Sequence, residues 1–418
     1  MRNAILSQSF AASSFLVFSN GILLVYMTAF EISSARIFLY LSMPTLVGAF
    51  LQLPFAVVAD RFGKKLIGLT GTIFQAVGFG LIAAAGWGSL ALRESFLVAG
   101  LIVYSFGFTL FAASWFALLS PIVPQSIRGR FFGRMRFCWQ LVAIIVTGVC
   151  ALFLTESSPI GAYQAILGLL TLALIARIWF YLRVPERERS GLGSIRRAWP
   201  VLGELLRAEG FASFNAYVFL LMLFTAGCPF LFGLIEKRVM GWGDNRVVWM
   251  GNMIMVGSIV GFYLGGKAID SFGSKRVFLV CHFGFAAVIF LFMGRAFVHH
   301  PLHLILIVGA LNFLFGLIYA TSSIAISTEM MGLIPHHNKS LSTSITMVLM
   351  HGGAAMSGLI CSSSVKLGLL AEQWTFHGAT LYDYDSILLA YGVMIALLVV
   401  TLGLVPSVLS KAQWVPRG

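Results

Sequence analysis

Long apolar runs with few or no charges follow one another along the whole chain, and no other feature restricts the fold as tightly. Twelve such runs can be read, at about 8–28, 36–59, 66–88, 96–119, 135–155, 160–182, 214–235, 247–269, 276–294, 302–327, 341–365 and 386–408. Each is long enough for a helix across a hydrocarbon core roughly 30 Å thick. Hydrophobic residues make up 59% of the 418, against about 45–50% in soluble domains. That excess exceeds what a soluble core can hide. The two-residue alternation of a transmembrane barrel strand is absent. The expectation is an all-α membrane protein with twelve transmembrane helices.

The formal net charge of +13 would suggest nucleic acid in a soluble chain. Its distribution gives a different reading. With a cytoplasmic N-terminus, twenty of the 28 Lys and Arg residues fall on that side, seven fall on the other, and Arg177 lies inside a span. The acids divide almost evenly, seven to eight. Lys and Arg set orientation in membranes, so both termini are expected on the cytoplasmic side of the plasma (inner) membrane, and no nucleic-acid partner is expected. The first apolar stretch carries Asn20-Gly21 in its middle and lacks a small-residue cleavage site, so it is read as a retained span. Cys138, Cys150, Cys228, Cys281 and Cys361 all sit in apolar runs and are read as packing residues.

The chain is also written twice. Asp60 and Asp270 stand 210 residues apart, half the chain length. "PQSIRGRFFG", which enters the fifth span, and "PHHNKSLSTS", which enters the eleventh, place Pro124 and Pro335, and Arg128 and Lys339, 211 apart. Two landmarks with one lag indicate a duplication. Each half has six spans, an even number, so the repeats are parallel about an axis along the membrane normal. The expected division is an N-terminal bundle over 1–184, a cytoplasmic linker over 185–213 and a C-terminal bundle over 214–418. Apolar spacing over residues 199–207 suggests a short helix on the membrane surface.

Only 10% of the chain is charged, yet "ADRFGKK" packs Asp60, Arg61, Lys64 and Lys65 around Gly63. The sequence "AIDSFGSKR" repeats the pattern with Asp270, Gly273, Lys275 and Arg276. These stretches resemble the signature between spans two and three of the major facilitator superfamily of secondary transporters. Ala56 stands in place of the leading Gly, and Ser271 in place of the second Arg. Span count, orientation, half-repeat and linker extend the resemblance over essentially the whole chain. It implies a fold of two six-helix repeats whose signature acids latch the halves on the cytoplasmic side. Asp60 would face Ser340 and Ser342; Asp270 would face Arg130 and Arg134. The alternative is that these charges only set topology and form turns.

The resemblance places spans 1, 4, 7 and 10 around a central cavity. Polar groups at mid-depth are costly in lipid and so mark function. Asn20, Gln140, Asn252, Asn312 and His351 qualify, each with a helix-to-helix hydrogen bond as the competing role. Gln140 and His351 are again 211 apart. Tyr104, Trp115 and Tyr319 are candidate stacking surfaces for a solute, although lipid-facing aromatics are commoner. Cys228-Pro229 would loosen span 7. Arg177, about six residues from the end of span 6, is expected to snorkel to the headgroups. Gly257, Gly261 and Gly265 form a stripe for close helix packing.

No Asp or Glu lies at mid-membrane. His351, with an ordinary pKa near about 6.5, is the first candidate for a proton step. Glu329 is the second, with an ion pair to Lys339 or Arg61 as its alternative. Neither His299-His300 with His303 nor His336-His337 has a carboxylate cluster, so no metal or other cofactor is expected. No phosphate-binding glycine loop is present. The resulting expectation is a monomeric secondary transporter moving a small organic solute, with protons as a candidate coupling ion. A lipid flippase on the same fold and a polytopic enzyme or receptor are the rivals.

Overall fold

The computed structural model describes residues 1–119, 121–123, 128–187, 210–333 and 339–403. The surface helix expected at 199–207 lies outside them. Eleven helical segments among the described residues are long and apolar enough to cross a membrane. The twelfth expected span is there but divided, which corrects the reading of 8–28 as one helix. It consists of Arg2–Leu16 and Ile22–Ala29. Between them Gly21 adopts a φ of +90°, a conformation that side-chain-bearing residues rarely take. The side chain of Asn20 accepts the Ile22 N–H at 3.2 Å, so an Asn-Gly pair ends one helix and starts the next.

Span 7 is interrupted as well, into Phe211–Thr225, Cys228–Leu234 and a π-helical turn, Ile235–Val239. Pro229 has no N–H and its ring crowds the carbonyl one turn back, so a continuous helix is disfavoured. The Gly227 N–H is satisfied from span 11, by the Ser357 hydroxyl at 3.0 Å. At the repeat lag of 210, Gly227 corresponds to Val17, which directly follows the first helix of span 1. Each repeat therefore opens with a broken helix.

The remaining spans are Ser34–Leu41 continuing into Met43–Phe62 (span 2), Lys64–Ala84 (3), Leu90–Leu119 (4), Arg128–Phe153 (5) and Ile160–Leu182 (6). Asp244–Phe272 (8), Ser274–Met293 (9), Pro301–Leu333 (10), Lys339–Lys366 (11) and Asp383–Leu398 (12) follow. Phe50, Leu152, Phe153 and Val280 are exposed on their bundles, as lipid-facing residues must be.

Two compact units result. One comprises Met1–Trp199 with Glu236–Trp249; the other comprises Pro200–Ile235 with Met250–Gly418. The connection between spans 7 and 8 belongs to the first unit through its polar groups. Arg238 donates to the Ile32 carbonyl at 2.6 Å, and Asp244 accepts the Ser158 N–H at 3.0 Å while pairing with Lys237 at 2.5 Å. In the second unit the expected glycine stripe does pack. A Cβ on Gly257 would lie 1.9 Å from the Phe313 carbonyl oxygen, and one on Gly316 equally close to that of Ile254. Spans 8 and 10 thus touch backbone to backbone, with Thr321 donating to the Gly261 carbonyl at 3.1 Å.

One element departs from the all-helical expectation among the described residues. Between spans 11 and 12, Gln373–Phe376 and Ala379–Tyr382 pair antiparallel. His377 and Gly378 turn the chain with φ of 46° and 82°. Positive φ at both central residues defines the hairpin turn whose twist matches the strands.

Candidate solute path

In the first unit the interruption of span 1 fixes Asn20. Its side chain is fully buried, with the oxygen committed to Ile22 and the Nδ2 without a partner. Tyr104 of span 4 stacks with Phe18, just before the break, at 5.2 Å and tilts against Phe79 at 5.6 Å. Tyr104 therefore packs against the residue two before Asn20. Trp115 lies further along span 4, 3% exposed among Phe111 and Tyr181, inside an apolar cluster that includes Leu118, Leu119 and Val184. Gln140 of span 5 is buried.

Arg177 does not snorkel. It is 1% exposed, donates to Gln75 Oε1 at 2.6 Å and lies 4.0 Å from the centre of the Phe111 ring. The face of the helix decides this, not its depth. Tyr163, Ile166, Leu167, Leu170, Leu174, Arg177 and Tyr181 form the buried stripe of span 6, and helical periodicity carries the guanidinium inward with them.

In the second unit Asn312 of span 10 is buried and donates to the Val308 carbonyl at 3.1 Å, along its own helix. Asn252 of span 8 is buried; Tyr319 of span 10 is 39% exposed, close to the Phe315 ring. His351 of span 11 is partly buried and its Nδ1 makes no hydrogen bond. A better-built histidine is His282 of span 9, which sequence reasoning passed over. It is fully buried. Its Nδ1 meets the Tyr217 hydroxyl of span 7 at 2.7 Å, and its Nε2 meets the Ser322 hydroxyl of span 10 at 3.2 Å. The edge of the ring abuts Phe278 at 3.9 Å. Three spans are joined through one imidazole. Both partners are hydroxyls, which donate or accept according to the protonation of the ring.

At the signature loops, Gly63 and Gly273 have φ of 106° and 82°, the tight turns that their sequence contexts predict. Asp60 and Lys64 sit 3.9 Å apart with the Asp side chain 39% exposed, a pairing of about 0–1 kcal/mol at a wet surface. Arg61 lies over the Phe62 ring at 5.3 Å. The chain after each signature glycine starts a helix, and each helix start receives a glutamate. Glu186 accepts the Lys65 N–H at 3.1 Å, and Glu329 accepts a hydrogen bond from the Ser274 hydroxyl. A carboxylate is favourable at the positive end of a helix dipole. Among the described side chains Glu329 pairs with Ser274; the side chain of Lys339 lies outside them. Lys275 and Arg276 open span 9, as Lys64 and Lys65 open span 3. The side chains of Ser340, Ser342 and Arg130, expected to meet the two Asp residues, lie outside the described residues.

Solved structures share this architecture. A D-xylose–proton symporter aligns with 15% identity over 97% of this chain and 97% of its own, at a TM-score of 0.72. A mutant of the nucleoside transporter NupG aligns at 14% over 96% and 98%, with a TM-score of 0.71. A POT family transporter in complex with 5-aminolevulinic acid aligns at 11% over 98% and 97%, with a TM-score of 0.73. At such identities the likeness is one of fold. Among curated protein sequences, none matches significantly. Residues 5–358 match the family model of the Major Facilitator Superfamily, most of a multi-pass helical chain that carries the signature loop twice, and the chain belongs to that family.

Proposed function

We propose that this protein is a secondary transporter that carries a small organic solute across the membrane by alternating access, the two repeats rocking about a mid-membrane site. The observation that carries this reading is the interruption of spans 1 and 7 at corresponding places in the two repeats. Broken helices at membrane depth expose backbone groups and half-helix ends that bind solutes, and paired breaks are where such sites lie. On this reading Asn20, with its uncommitted amide nitrogen, and Tyr104 contribute to solute binding. Gln140, Asn312, Tyr319 and His351 are further contacts, and Trp115 supports the wall. The two signature loops form the cytoplasmic latch, and the protein acts as a monomer with both chain ends cytoplasmic. The Lys and Arg asymmetry supports that orientation.

A proton step is assigned to His282. Several neighbours of this fold are small-solute carriers, and one is by name a proton symporter. His282 links span 7, below its break, to span 10, and its hydroxyl partners suit either charge state of the ring.

The test is a solute panel scored by thermal stabilisation of the purified protein, followed by uptake of stabilising solutes into vesicles with and without a proton gradient. Gradient-stimulated uptake should fall about tenfold or more in His282→Gln, within the usual range of coupling free energies, while exchange without a gradient persists. Unchanged stimulation would remove the proton from this residue; uptake of none of the solutes would count against transport itself. Asn20→Ala should cost about 1 kcal/mol of stability through the lost cap and abolish solute stabilisation. Full solute stabilisation in that variant would exclude Asn20 from the site.

A further inference from the structure

Spans 6 and 8 both end on the side of the membrane that carries the signature loops. Near its end each bears an aromatic ring followed four residues later by a cation. Trp179 and Arg183 form the pair on span 6, Tyr263 and Lys267 the pair on span 8. Residues four apart share a helix face, and both pairs close. The Arg183 guanidinium lies 4.3 Å from the centre of the Trp179 ring. The Lys267 ammonium donates to the Tyr263 hydroxyl at 2.6 Å and stands 4.2 Å from the ring centre.

Neither pair belongs to a packed face. Trp179 is 58% and Tyr263 64% exposed. On span 6 Trp179 continues an outward apolar stripe of Leu172, Ile175 and Leu182, opposite the buried stripe that holds Arg177. On span 8 Tyr263 lies across the helix from the glycines that touch span 10. An amphipathic ring at the end of such a stripe sits at the level of the lipid headgroups. The two cations have these rings as their described side-chain partners. On the opposite side of the membrane Arg36, Lys237 and Arg295 pair instead with Glu94, Asp244 and Asp385, at 2.6, 2.5 and 2.7 Å. The helix dipole favours a cation at either span end, but it does not account for an exposed ring beneath each one.

We propose that the Trp179–Arg183 and Tyr263–Lys267 pairs are binding sites for anionic glycerophospholipids. The cation takes the phosphodiester, and the ring with the apolar surface behind it takes the start of the acyl chains. A guanidinium stacked on indole keeps its in-plane N–H groups available, and an ammonium that donates to one phenol has two protons left. Charge selects the occupant. A zwitterionic lipid brings its own ammonium against the cation, and free phosphate has no apolar part for the stripe. The sites lie in separate units and do not depend on the solute reading.

The full-length protein in a neutral detergent is titrated with phosphatidylglycerol, phosphatidylcholine or sodium phosphate at constant ionic strength. Bound lipid is counted by native mass spectrometry. Phosphatidylglycerol should bind at a midpoint several-fold below that of phosphatidylcholine, and phosphate should leave no adduct. Arg183→Gln and Lys267→Gln change exposed side chains, and each should cost one bound phosphatidylglycerol. The double variant should raise the midpoint about fivefold or more, the loss expected when a cation near an anionic lipid is removed. Arg187→Gln is the control, an exposed cation four residues beyond Arg183 with no ring among its described contacts; it should bind as the wild type does. Equal midpoints for the two lipids, wild-type binding in the double variant, or an equal loss in Arg187→Gln would overturn the proposal. So would displacement of the lipid by inorganic phosphate at matching concentration, which would assign the pairs to a free anion.

Discussion

Gly257→Val will yield almost no folded protein. The added Cβ would stand 1.9 Å from the Phe313 carbonyl oxygen and 3.0 Å from the Leu317 nitrogen. These are backbone atoms of the facing helix, so no rotamer change clears them. Overpacking an ordinary core costs about 1–3 kcal/mol because neighbouring side chains give way; here spans 8 and 10 must separate. Separation also breaks the bonds from Ser258 to the Gly316 carbonyl, at 3.2 Å, and from Thr321 to that of Gly261, each worth roughly 0.6 kcal/mol in a membrane. Gly266→Val is the control, because a Cβ there meets nothing within 4 Å. Size-exclusion profiles of the two variants from equal expression should show a monodisperse peak for Gly266→Val and loss of that peak for Gly257→Val. A wild-type profile for Gly257→Val would contradict the backbone contact.

Asp385→Ala should lower stability by about 3–5 kcal/mol, the range for breaking a buried ion pair from one side. Asp385 grips Arg295 through two bonds, at 2.7 and 3.0 Å, with the side chains 0% and 4% exposed. Its second oxygen also accepts the Tyr382 N–H at 3.0 Å, so the same carboxylate closes the hairpin onto the start of span 12. Removing it strands a buried guanidinium. Arg295→Met combined with Asp385→Ala removes both charges and should recover most of the loss. Thermal midpoints in detergent decide: a single variant no worse than the double would mean that the stranded charge contributes nothing.

The spans could be read from sequence because lipid leaves little choice: a long apolar run must become a helix, and the repeat lag doubles the information. What escaped lies within spans rather than between them. The Asn20-Gly21 pair was visible, but a hydropathy window averages it away, and only the geometry shows one side chain capping a second helix. The Cys228-Pro229 step was easier, because proline cannot be averaged out of a helix ladder. Arg177 was placed by its distance from the end of the span, whereas the helix face decided its burial. Under the 210-residue lag His282 falls on Thr72, a hydroxyl rather than a titratable group, and it sits in a span outside the expected cavity set, so a search for paired titratable groups does not reach it. The hairpin carries its own sign in the His377-Gly378 pair between "WTF" and "ATLY", overlooked beside the apolar runs. Of the proposed solute contacts, Asn20 lies at the break in span 1 and Tyr104 packs on Phe18 just before it.

The rocking of the two repeats is tested most directly by the distance between one spin label on each. Trp87, beyond span 3 and 80% exposed, and Phe376, in the hairpin and 51% exposed, are the labelled positions. The five native cysteines are replaced by serine. Alternating access predicts two distance populations whose ratio shifts when a stabilising solute binds. A single narrow distance that no stabilising solute changes would contradict it.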